Sequence, residues 1–136
     1  MPFVEHSKPV LDFRLPADVR APKMARGRLA ALAGDIDPSE LEDLELGISE
    51  LVTNSIRHGG LLPADRVSVR VWVGEHVLQA QVRDPGRSFP GPPVERDDGD
   101  GGWGLRILDV LSRKWGIERD GETTVWLEMD RPSHAA

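Results

Sequence analysis

The chain has 136 residues, a formal net charge of -6 and no cysteine. That length suits one domain able to bury roughly two-thirds of its unfolded surface. The acidic balance argues against a general nucleic-acid or anionic-membrane binder, whose partners demand a basic face, and the absence of cysteine excludes disulfides, thiolate metal sites and cysteine nucleophiles.

Residues 1–10 read as a loose leader, and "LDFRL" (Leu11–Leu15) alternates as a short strand does. "APKMARGRLAALAG" (Ala21–Gly34) predicts a helix with Pro22 in its first turn and Gly34 as terminator. "DPSE" then opens a second helix, with Asp37 as N-cap, Pro38 as first helical residue and Glu40 completing a capping box. This helix is expected to run to about Arg57 and stop at Gly59–Gly60. In "RVSVRVWV", Val67, Val69, Val71 and Val73 share one face; in "VLQAQVRD", Leu78, Ala80, Val82 and Asp84 do so. "GEH" (Gly74–His76) between them suits a hairpin. Residues 85–104 hold four of the 11 prolines and six of the 14 glycines, which marks a long loop,. "LRILDVLS" predicts a short helix from about Gly104, and "WGIER" and "TTVWLEM" predict closing strands around a turn at Asp120–Gly121. No internal repeat or second domain is evident. No apolar run approaches the ~20 residues of a membrane span, and the N-terminus carries no signal-peptide core, so a cytoplasmic location is expected. His6, His58, His76 and His134 lack ligand spacing, so a zinc site is not expected.

Three places carry candidate chemistry. On a helical wheel of the second helix, Leu41, Leu44, Ile48, Leu51, Val52 and Ser55 fall on one side. Asp43, Gly47, Glu50, Asn54 and Arg57 form a stripe on the other. The stripe is either a solvated face or a polar groove. In a groove, Glu50 would orient or deprotonate a nucleophile, Asn54 would offer its carbonyl oxygen to a metal, and Arg57 would meet a phosphate. One neutral oxygen ligand suits Mg²⁺, which keeps several waters and takes its other oxygens from substrate phosphates. Asp84 is in phase with core residues, so its carboxylate needs a donor. It either begins the turn at "DPG" or accepts from the exocyclic amine of a base. The glycines of "GGWGLRIL" either end a flexible loop or expose helix-start amides to an anion. The acidic "ERDDGD" before them reads as a solvated lid. The tryptophans at 72, 103, 115 and 126 read mostly as core or edge packing.

Taken in order, "ELVTNSIRHG" (Glu50–Gly59), "VRDPGR" (Val82–Arg87) and "GGWGLRIL" (Gly101–Leu108) resemble the N-box and two glycine boxes of the Bergerat-fold ATPases, a superfamily of gyrase, a heat-shock chaperone and histidine kinases. The small size is most similar to the anti-sigma factor serine kinase branch and the stand-alone ATP-binding regulators of actinomycetes. The similarity spans about residues 11–129, leaving 1–10 and 130–136 as flexible termini. It implies an α/β two-layer sandwich, a mixed sheet with helices on one face. It assigns Glu50 as catalytic base and Asn54 as Mg²⁺ ligand. Asp84 would bind the adenine amino group of ATP, Gly86 would let the base approach the backbone, Gly102, Gly104 and Leu105 would line the triphosphate, and Thr124 would sit near adenine. The implied partners are an anti-sigma factor antagonist, phosphorylated on serine, and a sigma factor. A homodimer is expected from the resemblance alone. The first glycine box departs from D-x-G-x-G, reading Asp84-Pro85-Gly86-Arg87-Ser88.

Two other functions compete with a serine kinase that sequesters a sigma factor. One is an ATP-sensing module or pseudo-kinase that transfers nothing, which Ser88 favours and the intact Glu50 and Asn54 oppose. The other is a detached histidine-kinase catalytic domain needing a separate histidine-bearing partner. Arg26 and Arg28 on the first helix are candidate partner contacts, or simply solvated.

Overall fold

The computed structural model describes residues 7–86 and 102–131. Its elements, in chain order, are β1 (Leu11–Pro16), α1 (Ala21–Leu29), a 3₁₀ turn (Ala30–Leu32), α2 (Pro38–His58), β2 (Arg66–Val73), β3 (Val77–Asp84), α3 (Gly102–Leu111), β4 (Lys114–Arg119) and β5 (Thr123–Asp130). The strands form one sheet in the order β1-β2-β3-β5-β4. The expected two-layer sandwich is what forms, but its sheet is antiparallel at every described pairing rather than mixed. Two tight hairpins, β2–β3 and β4–β5, require this locally. The β3-to-β5 pairing follows because α3 and β4 bring the chain back before it turns.

Alternation does what the sequence requires of it. Phe13, Leu15, Val67, Val69, Val71, Leu78, Ala80, Val82, Leu127 and Met129 point to one face. Leu44, Ile48, Leu51 and Val52 of α2, Ala21, Ala25 and Leu29 of α1, and Leu108 of α3 close over them. Ala21 and Ala25 have so little side chain that α1 can lie close against its neighbours. The first helix stops sooner than its pattern predicts, tightening into the 3₁₀ turn before Gly34 reverses the chain at φ +94. Arg26 and Arg28 engage their own fold: Arg26 Nη1 donates to Ser49 Oγ of α2 at 3.3 Å, and the Arg28 guanidinium lies 4.8 Å from the Phe13 ring centroid,. Among the described residues no helix is long and apolar enough to cross a membrane.

The opposite face of the sheet is polar. Gln79 Nε2 donates to Glu128 Oε1 at 3.0 Å, and Trp126 lies so close over Gly116 that a Cβ there would sit 2.7 Å from its ring. The leading and trailing residues are anchored where they are described. Trp72 Nε1 donates to the Ser7 carbonyl at 3.0 Å, and Val10 N–H donates to Val71 O at 2.8 Å. Arg131, expected in a flexible tail, is bound instead. Its Nε and Nη2 donate to Glu40 at 2.9 and 3.2 Å, and its Nη1 donates to the Gly74 carbonyl at 2.9 Å. The remaining tail and the first six residues lie outside the described residues.

Glu40 serves twice. Its Oε1 also accepts the Asp37 N–H at 2.8 Å, closing the capping box that "DPSE" predicts. The side chains of the Glu40–Arg131 pair are only 5% and 12% exposed. Removing one member of a buried pair strands the other charge, at a cost of about 3 kcal/mol or more. Arg131→Met is therefore expected to lower the free energy of unfolding in urea by about 3 kcal/mol. A loss below about 1 kcal/mol would place the pair with ordinary surface bridges.

Candidate functional site

The site is built where α2 ends, β3 ends and α3 begins. The capped start of α2 lies at the β2–β3 hairpin, since Arg131 joins Glu40 to Gly74. From Glu40 to Ser55 the helix rises ~22 Å, and from Val77 to Asp84 the strand rises ~23 Å. Helix and strand thus run side by side and finish level. There the Ser55 hydroxyl and the Gly86 N–H lie beside the Asp84 carboxylate and favour its charged form.

Asp84 is 4% exposed, in phase with the core as its sequence position predicts. Its Oδ1 is buried and has no hydrogen-bond partner among the described residues. Buried acceptors rarely stay unsatisfied, and an ionised carboxylate only accepts, so the position calls for an external N–H donor. Next to it Gly86 turns the chain at φ +62, and a Cβ there would fall 2.4 Å from Thr123 Oγ1. Only glycine leaves that space open. An adenine amino group fits this pairing of an orphaned carboxylate with a backbone lacking side chain.

Strand register decides which threonine faces the site. Asp84 is directly opposite Thr123, whereas Thr124 is opposite Arg83. Thr124 therefore lies on the far face of the sheet, where its hydroxyl accepts from Arg83 Nε at 3.3 Å. The expectation for Thr124 is corrected to Thr123. Two adjacent β-branched threonines carry no parity of their own in sequence, so only the pairing with β3 separates them.

Glu50 and Asn54 are both half-buried on α2. Gly47, expected with them in the polar stripe, is packed: a Cβ there would meet Leu127 at 3.3 Å and Leu111 of α3 at 3.8 Å. The stripe thus starts as a contact with the sheet and α3, and opens into polar groups along the next two turns. β4 begins at the hairpin end of the sheet, opposite Glu128, so α3 runs antiparallel to α2. Asn54 lies ~10 Å along α2 from Gly47, and Gly104 lies ~10 Å back along α3 from Leu111. Asn54 and the first turn of α3 are therefore at the same height. That turn starts at Gly102, two residues before the position read from sequence. Its first amides have no intrahelical acceptor, and the helix dipole makes this end attractive to anions. The Leu105 side chain, Ser88 and most of the 85–104 loop, including the acidic lid, lie outside the described residues. Arg57 is exposed at the end of α2.

Among the described residues no group of three or more His, Asp or Glu side chains is arranged to hold a metal. A cation here would rest on Asn54 together with oxygens of its own ligand.

Comparison with known families decides the class. A family model described as the histidine kinase-like ATPase domain matches residues 15–129. The chain belongs to the histidine kinase-like ATPase family. It is also similar to proteins named serine-protein kinase RsbW. That of Bacillus licheniformis is 30% identical over 132 aligned positions, covering 85% of this chain and 81% of that protein. That of Bacillus subtilis (strain 168) is 26% identical over 143 aligned positions, covering 91% and 89%. The Listeria innocua protein is 28% identical over 116, covering 74% of each.

In this ATPase domain burial raises the Asp84 pKa, against the opposing effects of the Ser55 hydroxyl, the Gly86 N–H and Arg119. The folded chain then holds the Asp84 proton more tightly than the unfolded chain does. Protonation stabilises the fold, and that contribution is lost as pH rises through the folded-state pKa. At neutral pH the ionised carboxylate is a burden on the empty protein. Asp84→Asn is expected to raise the Tm at neutral pH by a few degrees, with the gain vanishing in acid. Scanning calorimetry across pH measures this; a lower Tm for Asp84→Asn at neutral pH would mean the hydrogen bonds outweigh burial.

Proposed function

We propose that the chain binds ATP with Mg²⁺ and transfers the γ-phosphoryl group to a serine of an anti-sigma factor antagonist, and that unengaged protein binds a sigma factor in the cytoplasm. The observation that carries the nucleotide reading is the buried, partnerless Asp84 Oδ1 beside the Gly86–Thr123 cradle. The serine-kinase reading is supported by the serine-protein kinases to which the chain is similar and by Glu50, half-buried one turn before Asn54 on α2.

In this reading Asp84 accepts the adenine amino hydrogen, and Gly86 and Thr123 line the edge of the base. The first-turn amides of α3, at Gly102, Gly104 and Leu105, hold the phosphates. Asn54 presents a carbonyl oxygen to the cation and Arg57 lies at the mouth. Bound Mg²⁺ supplies charge neutralisation on the phosphate oxygens. Glu50 accepts the proton of the attacking serine hydroxyl and orients it. Phosphoryl transfer asks little covalent chemistry of the protein, so positioning and electrostatics account for the rate. The pairing of partners and any homodimer belong to the same proposal.

Two substitutions separate binding from transfer. Asn54→Ala is expected to lose magnesium-dependent ATP binding in calorimetric titration, roughly tenfold or more in affinity. Glu50→Ala should keep binding and lose at least about a hundredfold in transfer of labelled phosphate to the antagonist. Normal transfer by Glu50→Ala would remove Glu50 from the base role. Binding without any transfer by the unaltered protein would favour an ATP-sensing module, the reading that Ser88 supports. Acid-labile label on the acceptor would point to histidine.

A further inference from the structure

Three neighbouring strands place one residue each in a row at the mouth of the base pocket. Asp84 of β3 pairs with Thr123 of β5, and Thr123 pairs with Arg119 of β4. Residues directly opposite one another point to the same face, so Asp84 and Arg119 flank Thr123 on the helix-facing side. Arg119 is half-buried with its Nε shut off from solvent. It follows the regular alternation of β4, in which Trp115 and Ile117 also face the helices.

We propose that Arg119 is a positioning residue of the nucleotide site: across Thr123 it holds Asp84 in the anionic state, so that the pocket accepts a 6-amino purine and rejects a 6-oxo purine. The proposal rests on the nucleotide reading of the Asp84 pocket. An anionic carboxylate can only accept, which suits an amino group. A neutral carboxyl can also donate, and a donor would welcome the 6-oxo oxygen of hypoxanthine. Asp84 is buried enough for the neutral form to compete, and Arg119 opposes that. The Ser55 hydroxyl and the Gly86 N–H favour the anion more strongly as neutral dipoles, and Arg119 adds a full positive charge in the same direction. Ser55 of α2 and Thr123 of β5 are neutral, and Glu122 of the β4–β5 turn acts in the wrong direction. His58, one turn beyond Ser55, is the remaining titratable group at this end of α2.

The test uses the intact protein, with ADP and IDP as probes and no metal, between about pH 5 and pH 8. Affinities are read by calorimetry, and the Asp84 carboxyl titration by carbon NMR of the empty protein. Arg119→Met and Arg119→Gln are expected to move the acid limb of ADP binding, and the carboxyl titration, upward by about half a pH unit or more. They should also narrow the ADP-over-IDP preference about threefold or more on the acid side, the size of change expected from a shift of that order. Arg119→Lys should restore both. Because Arg119→Gln keeps length and polarity, it reports even where Arg119→Met folds poorly, and Arg119→Lys serves the same purpose. Unmoved limb, titration and preference in these variants would overturn the proposal. So would weakened ADP binding with an unmoved carboxyl titration, which would place Arg119 on the nucleotide itself. A wild type that binds neither nucleotide overturns the nucleotide reading, and the proposal with it, whatever the carboxyl titration shows.

Discussion

The fold hangs on α2 being held to the sheet at both ends by polar contacts. At its start the Glu40 carboxylate caps the helix and takes two hydrogen bonds from Arg131. At its end the Ser55 hydroxyl lies beside Asp84 and favours its charged form. The apolar contacts of Leu44, Ile48, Leu51 and Val52 would hold the helix down but would tolerate sliding, since hydrophobic attraction has no direction. Hydrogen bonds fix the register. With both ends fixed, the position of Asn54 relative to Asp84 is fixed too. The proposed nucleotide site, which would grip a base at one point and a phosphate at another, depends on that distance.

The two latches differ in kind. The Glu40–Arg131 pair is complete: its oxygens are shared between a cap and a guanidinium. The Asp84 latch is incomplete, with one oxygen buried and unanswered. The satisfied pair lies at the start of α2, and the unsatisfied group lies at its other end. Such a division is expected where a binding group cannot be satisfied from within without closing the pocket.

Local rules made much of this readable. "DPSE" announced its capping box, the valine alternation of β2 fixed the buried face, and the phase of Asp84 on β3 marked it as a carboxylate turned inward. The features that escaped reading depend on residues far apart in the chain. Arg131 meets Glu40 across 91 positions, and nothing near either residue announces the other. Gly47 sat on the polar side of a helical wheel because a wheel does not know that α3 packs there. Thr123 and Thr124 exchange roles with a single step of register, and the partner that sets the step is on β3. Arg119 in the sequence is one charge among many; its meaning comes from the strand beside Thr123.

The edges of the sheet carry one more consequence. β1 and β4 are the outermost strands, and unpaired strand edges are the places where chains add to one another and aggregate. β1 carries Asp12 and Arg14 on its polar face and ends at Pro16, which has no N–H to offer a newcomer,. β4 is six residues long and holds Lys114, Glu118 and Arg119. Short, charged and proline-ended borders make the folded protein a poor template for growing fibrils. Precipitation at high concentration should therefore begin with molecules whose core has opened, and conditions that slow unfolding should preserve solubility better than conditions that screen charge.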